Sequence, residues 1–426
     1  MRVALAGLIG NVLEWFDFAV YSYFATDLGK LFFPSADPTA QLLKTYGVLA
    51  LGFFARPVGS VVLGKVGDHI GRRALLTLSI GLMGGATLLL GLLPTYAQIG
   101  VAAPILLIVV RVIQGFSLGG EFTGSMVYTT ELAAPGARGL VSSSTAAGTT
   151  LGFILGSGSA WLVHRVMSDE AAAAWGWRIP FLASVSLCVA GWVLRHGLDE
   201  TEGGKLTAAT RPPLWPSLVA DARPMLQTLG IVGLTNAAYY FTFTFAVDAR
   251  KGGPDGTAFQ AANTASLFVV LLAKPLGGWL SDRIGRRRLM LVLTVVIAAL
   301  TVVGLPLMLS GSVGRFALGQ TLLGVPLGMA LGLQGAMVVE IFPLRTRVTS
   351  MSVAYSVTLA LAGGTAGLVA TWLIATFGDF APQLYLGVWG VLGLVILAAM
   401  AETNGRRLDV VDDAPGPGQR SSPRLQ

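Results

Sequence analysis

Apolar residues fill this chain in twelve long runs, near 4–27, 42–63, 74–93, 103–131, 140–165, 177–196, 224–247, 258–280, 289–310, 314–340, 348–376 and 383–400. About 20 apolar residues in a helix cross the hydrocarbon core of a bilayer, and each run approaches or exceeds that length. The fourth, tenth and eleventh are longer than needed, which predicts tilt or extension beyond the membrane. Between the sixth and seventh runs lies the polar stretch "DETEGGKLTAATRPPLWP", and the chain closes on "DDAPGPGQRSSPRLQ". The first reads as a linker and the second as a disordered tail. The pattern predicts an all-α membrane protein of twelve transmembrane helices in two six-helix bundles, 1–196 and 224–400, with a linker at 197–223 and a tail at 401–426. The opening "MRVALAGLIGN" has the look of a short signal peptide, but Glu14 and Asp17 interrupt its apolar region. It is therefore read as the start of the first helix.

The two halves repeat. "GKVGDHIGRR" (64–73) follows the second run and "GWLSDRIGRR" (278–287) follows the eighth, with Asp68 and Asp282 in register. "ELAAPGARG" (131–139) after the fourth run matches "EIFPLRTR" (340–347) after the tenth, which aligns Glu131 with Glu340 and Arg138 with Arg347. "DETEG" after the sixth run is echoed by "AETNG" after the twelfth. Three echoes, each six helices apart, describe a parallel repeat, the arrangement in which transporters place a substrate site between their halves near the bilayer midplane.

Composition agrees. The chain is 54% hydrophobic and 12% charged, with a mean hydropathy of +0.70. A soluble domain carries about 25% charged residues. The 55 glycines suit closely packed membrane helices. The single cysteine, Cys188, permits no internal disulfide, and the three histidines are scattered without metal-ligand spacing. No cofactor or metal is expected. The net charge of +7 would suit an acidic partner, but its placement points to topology. With both termini on the cytoplasmic side, 19 of the 29 Lys and Arg residues fall inside and 7 outside. Nucleic acid is not expected as a partner.

The remaining three basic residues, Arg56, Arg111 and Lys274, lie within the runs, as do Glu14, Asp17 and Glu121. A charge at membrane depth costs at least about 2.5–3.5 kcal/mol on insertion scales, so each is a functional candidate. Glu14 and Asp17 are three residues apart and share a helix face. Trp15 and Phe16 are expected to point toward lipid or neighbouring helices. Two carboxylates together in low dielectric are suited to carrying a proton, and a fixed ion pair with Arg56 or Arg111 is the alternative. Arg56 lies 12 residues before Asp68, about 18 Å along a helix. It is either a contact for an anionic substrate or the partner of Glu14 or Asp17. Arg111 and Gln114 form a second polar cluster, with Glu121 as a second protonation site or as the neutraliser of Arg111. Lys274 either reaches the substrate site or snorkels to the surface. Tyr21, Asn236, Tyr239 and Tyr240 offer hydrogen bonds beside aromatic faces, with packing as the plainer reading. The glycine-rich stretches of the fifth and eleventh runs read as close-packing faces, and no phosphate-binding GxxxxGK[ST] pattern exists to support an ATP-driven pump.

The paired "D-[HR]-x-G-R-R" loops resemble the signature of the major facilitator superfamily, and "RVIQG" (111–115) resembles its second motif. "EWFDF", "ARP", "GGEF", "WRIPF" and "EIFPLRTR" together resemble the metabolite:proton symporter branch. The chain departs from that branch in "RHGLDETE", which lacks a proline, in Phe16 where tyrosine is frequent, and in its short N-terminal arm. The resemblance implies a proton-coupled symporter of the bacterial inner membrane, a monomer that works by alternating access. It also implies gates at the repeated loops, formed by Gly64, Asp68 and Arg72 and by Gly278, Asp282 and Arg286. There a carboxylate can accept from an arginine and from a neighbouring helix N-terminus, a latch that breaks in another transport state. The buried cations tilt the expected substrate toward a carboxylate anion, with a zwitterionic osmolyte such as betaine or proline as the alternative. A membrane-embedded enzyme lacks its clustered nucleophile and base, and a channel does not account for the paired loops.

Overall fold

A computed structural model describes residues 2–70, 72–196, 213–250, 255–344, 346–406 and 408. Among them there are helices and no strands. The helices group into twelve rods: α1 (Arg2–Tyr23), α2 (Pro38–Ile70), α3 (Arg72–Leu92), α4 (Ala102–Ser117 and Glu121–Leu132), α5 (Arg138–Val166), α6 (Arg178–His196), α7 (Ala222–Tyr240), α8 (Gly256–Ile284), α9 (Arg286–Leu309), α10 (Val313–Ile341), α11 (Arg347–Leu359 and Ala366–Phe377) and α12 (Ala381–Ala398). Nine helices among the described residues are long and apolar enough to cross a membrane. Each apolar run has become a rod because backbone N–H and C=O groups at membrane depth must be satisfied within the segment.

Three rods are irregular in ways the hydrophobic pattern does not announce. α4 is broken at residues 118–120, where "LGG" separates its two helices. α7 continues into a π turn at Phe241–Phe245, and a second π turn at Ala360–Gly364 joins the two helices of α11. Such turns carry an extra residue and concentrate at functional sites. The expected linker at 197–223 falls largely outside the described residues, but its end forms a helix at Leu214–Ala220. The tail expected to be disordered from 401 is ordered at its start, where Thr403 and Leu408 are buried. Residues 409–426 lie outside the described part.

The rods α1–α6 and α7–α12 meet along a seam. α5 packs on α8 and α10, α2 on α11, and α1 on α5 within its own half. The glycine-rich stretches serve close packing as expected: Gly152 and Gly156 of α5 face α1, while Gly364 and Gly367 face Phe53 and Tyr46 of α2. Gly278 of α8 and Gly139 of α5 meet across the seam with no room for a Cβ on either. Gly285, between α8 and α9, has φ +99°, a conformation that favours glycine.

Candidate functional site: a central cavity between two closed ends

α1 runs through the middle of the molecule, and every residue from 11 to 25 is buried. No part of that stretch faces lipid, so of the two surroundings expected for Trp15 and Phe16 it is the neighbouring helices that receive them: both are buried, and Trp15 lines a central cavity. The two carboxylates of α1 take separate arginines. Glu14 pairs with Arg56 of α2. Asp17 accepts from Arg111 of α4 at 2.6 Å and from Gln114 at 2.9 Å. They do not compete for Arg56.

Each pair has its own surroundings. The Arg56 guanidinium lies 5.8 Å from the ring centres of Trp15 and Phe53 and 5.9 Å from that of Phe18. Its Nε and one terminal nitrogen have no hydrogen-bond partner. Arg111 lies 3.9 Å over the Tyr21 ring, Gln114 reaches Thr87 at 2.9 Å, and the Tyr21 hydroxyl donates to the Thr45 carbonyl at 3.0 Å. Arg111 is paired with Asp17. Glu121 opens the second helix of α4, half-buried and within electrostatic reach of Glu14.

The central cavity is lined from both halves. α1 supplies Trp15, α4 Phe122 and Met126, and α5 Ala146, Thr149 and Phe153. Across the seam, α7 supplies Asn236, Tyr239 and Tyr240, α8 Lys274, α10 Leu331 and Gln334, and α11 Tyr355. It offers about 30 Å³ to the centre of a water-sized sphere. One water needs roughly 10–15 Å³ by that measure, so about two fit. Trp15 lies 5.6 Å from Phe122, 5.9 Å from Phe153 and 6.4 Å from Tyr240 between ring centres. Lys274 is 1% exposed and has not snorkelled. It donates across the seam to the Ala146 carbonyl at 2.5 Å and to Thr149 Oγ1 at 3.0 Å. Among the described residues it has no carboxylate partner.

Of the residues expected to bind substrate, Asn236, Tyr239, Tyr240 and Lys274 therefore line one cavity. Arg56, Arg111, Gln114 and Tyr21 do not reach it, because acids on α1 and their neighbours hold them within the first half. Trp15, Phe122, Phe153, Gln334 and Tyr355 escaped the sequence reading. The one signal for Trp15 was its place between two inward carboxylates.

Both ends of the seam are bridged. At one end the Tyr23 hydroxyl donates to the Phe243 carbonyl in the α7 π turn at 2.7 Å, and Thr26 donates to Asp248 at 2.9 Å. Asn263 donates to Tyr23 and Ser157, which tie α8 to α1 and α5. The other end is basic. There Asp282 accepts from the backbone N–H groups of Gly139 and Leu140 at 2.8 and 2.9 Å, capping α5 from the opposite half. Arg286 bonds Asp282 at 2.9 Å and grips Glu340 with two contacts of 2.6 and 2.9 Å. The repeated Glu and Arg positions pair crosswise, Arg347 with Glu131 at 2.6 Å and Arg138 with Glu340 at 3.9 Å. The side chains of Gly64, Asp68 and Arg72, expected to form the matching gate, lie outside the described part.

The first residues after α12 run over this basic end. Glu402 accepts from the N–H groups of Arg286 at 2.7 Å, Arg287 at 3.2 Å and Asn404 at 3.1 Å. The Arg406 carbonyl accepts from Arg138 at 2.6 Å and the Leu408 carbonyl from Arg347 at 3.1 Å. Burial opposes the charge of Glu402, but its backbone donors outweigh that and hold its carboxyl below the ordinary value of 4.5.

Comparisons with known proteins agree with this architecture. Residues 3–211 match the family model described as Sugar (and other) transporter, and residues 229–422 match that of the Major Facilitator Superfamily. The chain is 33% identical over 423 residues to a proline/betaine transporter of Salmonella typhimurium, covering 96% of this chain and 84% of that one. It is 33% identical over 427 residues to the glycine betaine/proline/ectoine/pipecolic acid transporter OusA of Dickeya dadantii, with the same coverage. The inner membrane metabolite transport protein YhjE of Escherichia coli is 34% identical, with 96% and 95% coverage. Among solved structures, a D-xylose-proton symporter superposes with a TM-score of 0.75 at 18% identity, over 96% of this chain and 99% of that one, which speaks to the fold.

Proposed function

For this chain, which belongs to the major facilitator superfamily and to its metabolite:proton symporter group, we propose proton-coupled uptake of a small zwitterionic osmolyte of the betaine or proline class. The protein is a transporter and not an enzyme. The reading places it in a bacterial inner membrane as a monomer, with the basic end and both termini in the cytoplasm. The single observation that carries the substrate class is Lys274, a buried cation without a carboxylate partner in a cavity shared by both halves.

The sequence alone favoured a carboxylate anion because it counted several free cations. Glu14 compensates Arg56 and Asp17 compensates Arg111, which leaves one cation for a ligand. The relatives named for proline and betaine favour the zwitterion further.

In this mechanism the bridged structure is the occluded step. A ligand larger than about two waters requires the halves to part, and each end has bonds that can be exchanged for water. Protonation of Glu14 or Asp17 removes half of a buried ion pair. The stranded arginine is costly at that depth, so the proton drives rearrangement of α1 against α2 or α4. Glu121, near Glu14, tunes or shares that proton.

Purified protein in liposomes tests the reading. Labelled proline or glycine betaine should accumulate when an inward proton gradient is imposed and equilibrate without it. Accumulation that survives collapse of the gradient refutes symport. Uptake of a dicarboxylate with none of proline or glycine betaine refutes the substrate class.

A further inference from the structure

The charge and donor pattern of the cavity orients its ligand. Lys274 is the only charged side chain among the described residues that line it, and no lining residue is a carboxylate. Four further lining side chains hold buried polar atoms without partners: Trp15 Nε1, Tyr239 OH, Tyr240 OH and Gln334 Nε2. Two are donors only, and the two hydroxyls can donate. Trp15 is 4% exposed, Tyr240 2% and Gln334 1%. Such atoms are costly to bury unmatched, so the cavity is built to receive an acceptor.

Much of the rest of the lining is aromatic. Trp15, Phe122, Phe153 and Tyr355 form a continuous set, with Phe122 and Tyr355 5.4 Å apart between ring centres. Ring faces attract cations, best when the cation is weakly hydrated and the site is dry. With no carboxylate available, they are the groups in this cavity that can stabilise a positive end.

We infer that the cavity holds a monocarboxylate bearing an alkylated ammonium group, with its carboxylate on Lys274 and the donors of Gln334, Tyr240 or Trp15, and its ammonium against the rings of Trp15, Phe122, Phe153 and Tyr355. The inference rests on the transporter reading and assigns Trp15 as its specificity residue. A dicarboxylate would set its second charge against those rings with no cation to meet it. An ammonium compound without a carboxylate would leave Lys274 uncompensated and add a like charge. Binding also has a mechanical effect: a carboxylate on Lys274 competes with the Ala146 carbonyl and Thr149, two ligands from the other half.

Binding to the full chain in lipid nanodiscs, read by calorimetry, separates the two ends of the ligand. The probes are glycine betaine, its uncharged-head isostere 3,3-dimethylbutanoate, choline and succinate. Glycine betaine should bind at least about tenfold more tightly than each of the others, because the isostere and succinate lack the ammonium for the rings and choline lacks the carboxylate for Lys274. Trp15→Leu should cut glycine betaine affinity about tenfold and that of 3,3-dimethylbutanoate by clearly less, with Trp15→Phe in between. Lys274→Gln should erase the preference of glycine betaine over choline, and Lys274→Arg should restore it if the variant alone disturbs folding. Equal affinity for glycine betaine and the isostere overturns the aromatic subsite. Equal affinity for glycine betaine and choline in the wild type overturns the Lys274 subsite. Tight binding of succinate with none of glycine betaine or proline overturns the substrate class beneath both.

Discussion

Arg347, at the start of α11, donates to Glu131, at the end of the second helix of α4, across 2.6 Å of the seam between the halves. Its repeat-related counterpart, Arg138 with Glu340, spans the same seam in the opposite sense. Charge pairs crossing a moving interface hold one state and not another. Glu131 is 38% exposed, so the pair adds little to overall stability. Its expected effect is on the gate. Ser352, five residues after Arg347 in α11, is buried against Thr123 of α4 across the seam, 2.6 Å from its hydroxyl. In a Cys188→Ser background, Ser352→Cys should react several-fold faster with a membrane-impermeant thiol reagent once Arg347 is changed to Gln. The exchange Glu131→Arg with Arg347→Glu should bring the rate back toward the wild type. An unchanged rate in the single variant denies the pair its gating role.

Gly278 offers a steric test of the same closure. A methyl group there would run into the Gly139 carbonyl of the facing half, with both backbones in contact. Gly278→Ala should hold the basic end apart, raise labelling at the Ser352 position and reduce uptake by an order of magnitude. Overpacking of this kind costs about 1–3 kcal/mol, so the melting temperature should fall only modestly. A large loss of uptake without faster labelling would assign the defect elsewhere.

The two carboxylates of α1 can be separated by function. Asp17→Asn keeps an acceptor and a donor for Gln114 but leaves Arg111 without its counter-charge. Glu14→Gln does the same to Arg56. Whichever residue carries the proton, its neutral variant should lose gradient-driven accumulation at least about tenfold while retaining exchange of labelled for unlabelled solute. The other variant should lose both activities in proportion. Full accumulation in both variants would remove α1 from proton coupling.

Glu402 predicts a pH dependence of stability. Its carboxyl is held below 4.5 in the folded chain, so its stabilising contribution is complete above that value. The contribution fades as pH falls through the lowered folded value. Melting temperatures measured from pH 6 down to pH 3 should therefore decline more steeply for the wild type than for Glu402→Gln. Parallel curves would mean that the Arg286 and Arg287 N–H groups do not depend on the charge of Glu402.

Much of the fold was legible because membrane crossing imposes one strong constraint on composition. Twelve apolar runs became twelve rods with shifts of a few residues at their ends. The break in α4 was not, because "SLGGEF" reads as one more glycine-rich turn of helix. Nor were the π turns of α7 and α11, which carry no composition signal. For the site, depth along the chain singled out Glu14, Asp17, Arg56, Arg111 and Lys274, all of them buried, but passed over the buried Asp248. Which charge meets which depended on where α2 and α4 pass α1, and period alone does not carry that. The place of Trp15 in the cavity lining was missed for a related reason. Inward polar residues imply an outward apolar face only for a helix with lipid on one side, and α1 has protein on all sides.

The stretch just beyond α12 bears a consequence for anyone tagging this protein. Arg138 and Arg347, which belong to opposite halves, hold the carbonyls of Arg406 and Leu408. The stretch is thus a tether laid over a joint, and the joint cannot open without dropping one of its moorings. A fluorophore attached immediately after Leu408 would report that release, and the same attachment carrying a bulky fusion partner would prise it.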